Sequence, residues 1–233
     1  MTAIDAQRTV GELVTERPGR ARVFERLEID YCCGGKRLLA DACAAKGLDA
    51  GAVAAMLEAL EEAGGEEPDW TKRSLGELCD HIVETHHAYL RDELPRLSAL
   101  VGKVARAHGN RHPELADVSE TYEGLAAELS EHMLKEEHVV FPACRRLEEG
   151  EEILAAGLAA PIAVMEDEHA AAGAALERLH ALTGGYEPPT DACNSYRAML
   201  DGLATLELDL HEHIHEENNI LFPRASALAE SPA

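Results

Sequence analysis

Four long stretches of the chain carry apolar residues at alternating steps of three and four, the spacing of an amphipathic helix face. They cover residues 74–107, 114–140, 152–182 and 191–221, and glycine- and proline-containing loops separate them. Short connections between helices of similar length predict an antiparallel, up-down four-helix bundle. Because β-branched residues are too scattered to alternate as strands, the predicted fold class is all-α.

Shorter helical patterns precede these four stretches. Thr9 and Glu12 have capping-box spacing, Pro18 opens a second segment, and further segments cover 36–46 and 49–63. Residues 64–69 combine glycines, acids and a proline without an apolar face, which is typical of a linker. The sequence therefore predicts a small helical N-terminal domain over 1–66 and the bundle over 67–233.

The charge balance excludes two classes of partner. Forty-four acidic against twenty-one basic side chains give a formal charge of −23, which repels nucleic acid and anionic lipid. Neither a signal peptide nor a run of about 18 apolar residues is present in the sequence. Six cysteines without paired spacing suit a reducing compartment, so we expect a cytoplasmic protein that binds neither nucleic acid nor membrane.

Each apolar stripe carries a histidine near its middle, and two of these histidines are followed four residues later by a glutamate. Side chains four residues apart lie one above the other on a helix, so each pair can reach one ion. Both pairs belong to the repeated frame H-x3-E-x4-F-P, which suggests a duplicated helical hairpin. The six candidate ligands are His87, His132, Glu136, His169, His213 and Glu217.

Metal ligation explains why such polar residues would face a bundle core. A buried polar group without a partner costs about 1–3 kcal/mol, and an unpaired charge costs more. Six nitrogen and oxygen ligands exceed a tetrahedral zinc site, while magnesium and calcium prefer oxygen alone. The donor set therefore predicts paired iron with open positions, with manganese as an alternative.

Other histidines compete less well for this role. His86 continues a second stripe from Leu75, Cys79 and Ile82, and we favour His87 over it. We expect most of the remaining histidines, which lie off the stripes or in a loop, to be solvated: His81, His108, His112, His138, His180, His211 and His215.

Two adjacent thiols, Cys32 and Cys33, precede two glycines, Lys36 and the predicted start of a helix. Backbone N–H groups and nearby cations would favour thiolate there, which would make the pair reactive or metal-binding. Alternatively, two small residues pack beneath a tight turn. Residue chemistry alone leaves both interpretations open.

Several segments together resemble the bacterial iron–sulfur cluster repair (RIC) family of the YtfE and ScdA type. They are DYCCGGK at 30–36, HMLKEE at 132–137, MEDEH at 165–169, and H-x3-E-N-N before L-F-P at 213–223. The resemblance implies a hemerythrin-like bundle with a non-haem di-iron centre, bridged by oxo and carboxylate groups. It assigns the same six ligands, with Glu136 and Glu217 bridging.

The resemblance also implies a function, the repair of iron–sulfur clusters damaged by nitrosative or oxidative stress. Damaged iron–sulfur proteins would be the partners, nitric oxide or oxygen species the small ligands, and Cys32 and Cys33 a catalytic redox or transfer group. Iron donation, nitric oxide reduction and nitrosyl transfer all stay open, as do enzymatic activity and a homodimer. The alternative is a hemerythrin-like oxygen or nitric oxide sensor. Hemerythrin has a further histidine where this chain has Gly173, which predicts a more open site.

Overall fold

The computed structural model of the protein describes residues 4–59, 69–151 and 155–230. These described residues form helices and turns with no strand among them, which confirms the all-α prediction. None of their helices is both long enough and apolar enough to cross a membrane.

The N-terminal part consists of short helices: α1 Val10–Glu16, a 3-10 turn Pro18–Arg20, α2 Ala21–Arg26, α3 Leu39–Ala45 and α4 Ala50–Ala59. The capping box at α1 is confirmed, since the side chains of Thr9 and Glu12 each accept a hydrogen bond from the other's backbone N–H. The predicted start of α3 at residue 36 was three residues early, because residues 33–36 form a turn. The core of these helices includes Ile214 of the bundle, so the two parts pack together.

Residues 60–68 are outside the described part of the chain. They include the end of the predicted segment 49–63 and all of the predicted linker 64–69 except Asp69. The division of the chain at 66/67 therefore stays a prediction.

Four long helices make up the bundle, three of them interrupted by a π-helical turn. The first comprises α5 Leu75–Ile82, π-turn Val83–His87 and α6 Ala88–His108; the second α7 Leu115–Lys135, π-turn Glu136–Val140 and α8 Phe141–Glu148. The third is α9 Ala155–Leu182, and the fourth comprises α10 Asn194–Glu216, π-turn Glu217–Leu221 and α11 Phe222–Glu230.

Two apolar clusters show that the helices alternate in direction. One cluster joins Leu75, at the start of the first helix, to Phe141 and Phe222 near the ends of the second and fourth. The other joins Val104, at the end of the first helix, to Leu115 at the start of the second. The predicted up-down four-helix bundle is confirmed.

Two predicted helix ends were wrong, because the second and fourth helices continue past 140 and 221 to Glu148 and Glu230. Proline usually ends a helix, since it lacks an N–H and its ring clashes with the carbonyl four residues back. Here Phe141, directly before Pro142, donates its N–H to the carbonyl of Glu136, five residues back. The wider π-turn accommodates the proline without ending the helix.

The same π-turns shift the buried stripe by one residue. In the sequence, the apolar stripe that carries His132 and Glu136 continues at α-helical spacing to Val139, which predicts that Val139 faces the core. Val139 is instead 52% exposed, whereas Val140 is 1% exposed. In the first helix Ile82 is buried and Val83 is only half-buried, yet both His86 and His87 are buried. The first helix therefore buries one of its two candidate stripes before the residue inserted by the π-turn and the other stripe after it.

Candidate metal centre

The structure brings the six predicted residues together at one level of the bundle interior. Each is at most 3% exposed. Three of the four helices make their π-turn at this level, and His87, Glu136 and Glu217 belong to those turns. Burial and position thus agree with the predicted cluster.

The two glutamates lie between two pairs of imidazoles. Glu136 has Oε2 at 3.2 Å from Nε2 of His87 and Oε1 at 3.0 Å from Nε2 of His132. Glu217 has Oε1 at 3.3 Å from Nε2 of His213 and Oε2 at 3.1 Å from Nε2 of His169. Each carboxylate therefore turns one oxygen toward each pair.

This arrangement defines two adjacent positions that share both glutamates. The groups are His87, Glu136, His213 and Glu217, and His132, Glu136, His169 and Glu217. Ligands at right angles around a metal, each at about 2.1 Å, stand about 3.0 Å apart. The measured spacings of 3.0–3.3 Å fit adjacent ligands of two such spheres.

Six buried polar atoms that face this centre lack hydrogen bonds among the described residues, whereas Nε2 of His132 and Nε2 of His169 lie 3.0 Å from each other. Both oxygens of Glu136 and of Glu217 have no donor, and Nε2 of His87 and of His213 has no partner. A buried carboxylate without donors is strongly destabilising unless a cation compensates it. The residues therefore fit a pair of metal ions.

The outer nitrogens of three imidazoles are held by side-chain oxygens. Nδ1 of His87 is 2.6 Å from Glu137, and Nδ1 of His132 is 2.8 Å from Glu168. Nδ1 of His169 is 2.9 Å from Oδ1 of Asn218. Such contacts are typical of metal-bound histidines, because they orient the other nitrogen toward the ion.

His213 differs from the other three histidines. Its Nδ1 has no hydrogen-bond partner among the described residues, and its ring stacks instead on that of His86, at a centroid distance of 5.2 Å and an angle of 2°. His86 is 3% exposed but belongs to neither metal position.

The repeated Phe-Pro frame covers the centre on both sides. The ring of Phe141 stacks on His87 at 5.7 Å, and that of Phe222 stacks on His169 at 6.0 Å. Each phenylalanine follows a π-turn and contacts a histidine from another helix. The frame thus supplies both a carboxylate and an apolar lid.

Without a cation, the cluster favours protons. Burial alone would lower the pKa of His132, but the ion pair with Glu136 outweighs it and raises that pKa to about 9. Burial would raise the pKa of Glu217, but His213 and His169 hold it well below its usual range. Because imidazole must be neutral to bind metal, loading releases protons.

Cys32 and Cys33 lie against this centre. Sγ of Cys33 is 3.4 Å from the backbone oxygen of His169 and 3.9 Å from Sγ of Cys32. A cavity of about 190 Å³ adjoins both thiols and Asn218, which holds His169. None of the six candidate ligands lines this cavity, so Asn218 is its link to the centre.

The two thiols, for which the sequence left a reactive and a packing role open, do not share one environment. The helix begins only at Leu39, and Lys36 pairs with Glu166 at 2.9 Å. The hydrogen bond between the thiols lowers the pKa of Cys33 and raises that of Cys32 well above its usual value.

The cysteine loop is fastened to the bundle by a close approach at Gly35. A Cβ on this residue would lie 2.1 Å from Oδ1 of Asn219, so a larger side chain does not fit. Nδ2 of Asn219 donates to the backbone oxygen of Cys32 at 3.0 Å. The neighbours Asn218 and Asn219 thus hold a candidate ligand and the thiol loop.

Two buried histidines were missed in the sequence. His108 and His215 were predicted to be solvated, but they are 7% and 4% exposed, whereas His138 is exposed as predicted. His215 packs against Tyr31 of the N-terminal part, a contact that no periodicity within one helix indicates. Gly173, where hemerythrin has a further histidine, lies near Sγ of Cys33.

Comparisons with known proteins cover both parts of the chain. Residues 78–225 match the family described as Hemerythrin HHE cation binding domain, and residues 6–61 match ScdA_N, described as a domain of unknown function. The chain is 39% identical to the iron–sulfur cluster repair protein YtfE of Edwardsiella ictaluri and 41% identical to that of Escherichia coli O81. A probable iron–sulfur cluster repair protein of Haemophilus influenzae is 39% identical. Each alignment covers 94% of this chain and 96% of the relative.

Proposed function

Because the chain belongs to the YtfE-type iron–sulfur cluster repair family and has its hemerythrin HHE cation-binding domain, we propose that it repairs damaged iron–sulfur clusters with a di-iron centre. Its clients would be iron–sulfur proteins damaged by nitrosative or oxidative stress. We also propose that it acts in the cytoplasm and forms a homodimer.

The observation that carries the proposal is that each carboxylate directs one oxygen to each of the two imidazole pairs. Each position would receive two nitrogens and two oxygens from the protein, which leaves open positions on a six-coordinate ion. The mixed nitrogen and oxygen donors favour iron over magnesium or calcium, and bridging by Glu136 and Glu217 favours two ions over one. Bound iron would supply ligand exchange and one-electron chemistry toward nitric oxide or oxygen species.

The surrounding side chains would orient the ligands and keep water away. Glu137, Glu168 and Asn218 fix three imidazoles, and Phe141 and Phe222 cover the centre with apolar rings. Exclusion of water strengthens every charge interaction inside the site.

The cysteine pair would transfer iron or a nitrosyl group between the centre and a client. The contact between Cys33 and the backbone of His169 supports this role, and so does the lowered pKa of the Cys33 thiol. A thiolate is the form that binds metal or attacks an electrophile. Iron donation, nitric oxide reduction and nitrosyl transfer would all use the pair.

Metal analysis and a repair assay test the proposal together. The purified protein should contain two irons per chain, and His132→Ala should lose iron while His138→Ala, on an exposed histidine of the same helix, keeps it. The wild type should restore the activity of nitric oxide-damaged aconitase under anaerobic conditions. Stoichiometric binding of nitric oxide without any recovery would contradict repair and favour a sensor.

A separate double variant tests the proposed role of the two thiols. Cys32→Ala with Cys33→Ala should retain two irons but slow the recovery of aconitase, whereas Cys193→Ala, which changes an exposed cysteine, should not. Recovery at the wild-type rate in the double variant would show that the thiols take no part.

A further inference from the structure

A second cluster of histidines and carboxylates lies between the first and fourth helices, beside the six-residue centre. It consists of His81, His86 and Glu216, whose ligand atoms lie within 4.8 Å of one another, with Asp209 behind His86. None of these residues belongs to either metal position of the main centre.

The spacings within this cluster are too long for good hydrogen bonds. Nε2 of His81 is 3.4 Å from Oε1 of Glu216, and Nε2 of His86 is 3.7 Å from Oε2. Hydrogen bonds between such atoms are about 2.7–3.2 Å long. Ligands at about 2.0–2.1 Å from a tetrahedral ion stand about 3.4 Å apart, which agrees better with both spacings.

The outer nitrogen of each imidazole already has an oxygen partner. Nδ1 of His81 is 3.2 Å from the hydroxyl of Thr85, and Nδ1 of His86 is 2.9 Å from Oδ1 of Asp209. Both Nε2 atoms are thereby left facing the carboxylate of Glu216, one toward each oxygen, and such outer partners are typical of metal-bound histidines. Oε2 of Glu216 is buried and has no hydrogen-bond partner among the described residues.

The π-turn is what brings these histidines together. His81 and His86 are five residues apart, a spacing that separates side chains on an α-helix. In the π-turn Val83–His87 the hydrogen bonds span five residues, so residues five apart lie roughly one above the other. The inserted residue therefore places both imidazoles opposite Glu216.

We propose that His81, His86 and Glu216 bind one divalent transition-metal ion of the zinc class, separate from the two ions of the main centre. Two histidines and a carboxylate are an established three-residue ligand set for zinc, with a fourth position left to solvent. The side chain of His81 is 28% exposed, which gives the ion a route in. The ring of Trp70 packs against that of His81 at a centroid distance of 4.3 Å and an angle of 31°.

The ion would connect the two metal centres through one ring contact. His86 stacks on His213, so a metal on His86 places its charge beside a ligand of the main centre. The competing arrangement is a protonated His86 held between Asp209 and Glu216 with no metal. Only the first arrangement predicts that the protein binds a further metal ion at His86.

Metal titration of the iron-loaded protein distinguishes them. Zinc added in competition with a chelator should bind at one equivalent per chain while iron content stays unchanged, and cobalt(II) should give the strong visible absorption of four-coordinate cobalt. Glu216→Gln and His81→Ala should abolish this uptake, and Asp209→Asn should weaken it about 10–100-fold. His138→Ala should bind zinc as the wild type does.

His81→Ala protects the test against misfolding, because the side chain that it removes is partly exposed. Its iron content and helical circular dichroism should equal those of the wild type. Absence of zinc uptake by the iron-loaded wild type, or unchanged uptake in both ligand variants, would overturn the proposal. Neither result depends on repair activity.

Discussion

Asn218 accepts a hydrogen bond from Nδ1 of His169 at 2.9 Å, and both side chains are buried. This contact directs Nε2 of His169 to Glu217, the residue just before Asn218 in the chain. One turn of the fourth helix thus supplies the carboxylate of Glu217 to the centre and orients an imidazole of the third helix.

Replacing Asn218 should weaken iron binding without removing a ligand. Asn218→Leu removes the acceptor for Nδ1 of His169, and loss of such a partner typically lowers metal affinity about 10–100-fold. Competition with a chelator at fixed pH measures the change. Asn218→Asp retains an oxygen acceptor and should recover most of the affinity, so equal loss in both variants would contradict an orienting role.

The metal-free protein should lose stability as the pH rises from 6.5 to 9. His132 has its folded pKa raised to about 9 from 6.5, so its contribution is present below pH 6.5 and lost as the pH passes through 9. The loss is roughly 3 kcal/mol for this residue. Urea denaturation of chelator-treated protein at pH 6 and pH 9 measures it.

The iron-loaded protein provides the control for this pH effect. Iron binds neutral imidazole, so the ligand histidines of the loaded form should add no such loss over the same interval. The loss that remains in the loaded form belongs to His86, whose pKa burial would lower but Asp209 and Glu216 raise to about 10. The lowered pKa of Glu217 acts in the opposite direction, because its contribution is lost as the pH falls. Equal stability of the metal-free protein at pH 6 and pH 9 would contradict the prediction.

Substitution of Gly35 should detach the thiol loop. In Gly35→Ala the new Cβ collides with the side chain of Asn219, so that side chain or the loop must shift and the hydrogen bond from Asn219 to Cys32 is disturbed, at a cost of about 1–3 kcal/mol. We expect normal iron content but slower cluster repair. Gly124→Ala is the matched control, because no atom lies within 4 Å of its added Cβ and alanine suits a helix interior. If both variants repair equally fast, the position of the loop does not matter.

Deletion of Val139 should do far more damage than its exposure suggests. Without this residue the π-turn Glu136–Val140 closes to α-helical spacing. The ring of Pro142 then clashes with the helix backbone, and Phe141 loses its contact with the ring of His87. Proline inside an α-helix costs about 3 kcal/mol or more. The midpoint of thermal unfolding and the iron content both measure the effect.

Substitution rather than deletion is the control at this position. Val139→Ala keeps the residue count and should change the free energy of unfolding by no more than about 0.5 kcal/mol, since the side chain is exposed. A deletion variant as stable as Val139→Ala would show that the inserted residue has no structural role.

Local patterns predicted the helices and the facing residues well. The capping box at Thr9 marks a true helix start, and the first long stretch, predicted from residue 74, begins with Ser74 as the N-cap of its helix. The apolar stripe with His213 and Glu217 is buried along its predicted length, because helix periodicity follows from backbone geometry alone.

The errors in the predicted helices occurred at the π-turns, where one residue is inserted into the helix. Val139 was assigned to the core, and His86 and His87 were treated as exclusive alternatives, because both interpretations assume an unbroken helical period. The helix ends predicted at 140 and 221 were wrong at the same places, because the π-turns let the helices continue through Pro142 and Pro223.

By itself, the sequence determined the all-α class, the four stripes and the six side chains that point inward, since these depend on contacts within a few residues. Only the tertiary structure decided which carboxylate oxygen faces which imidazole pair, that Cys33 contacts His169, and that His81 and His86 meet Glu216. A π-turn is less favourable than α-helix in isolation, so the packing of neighbouring helices decides where it forms.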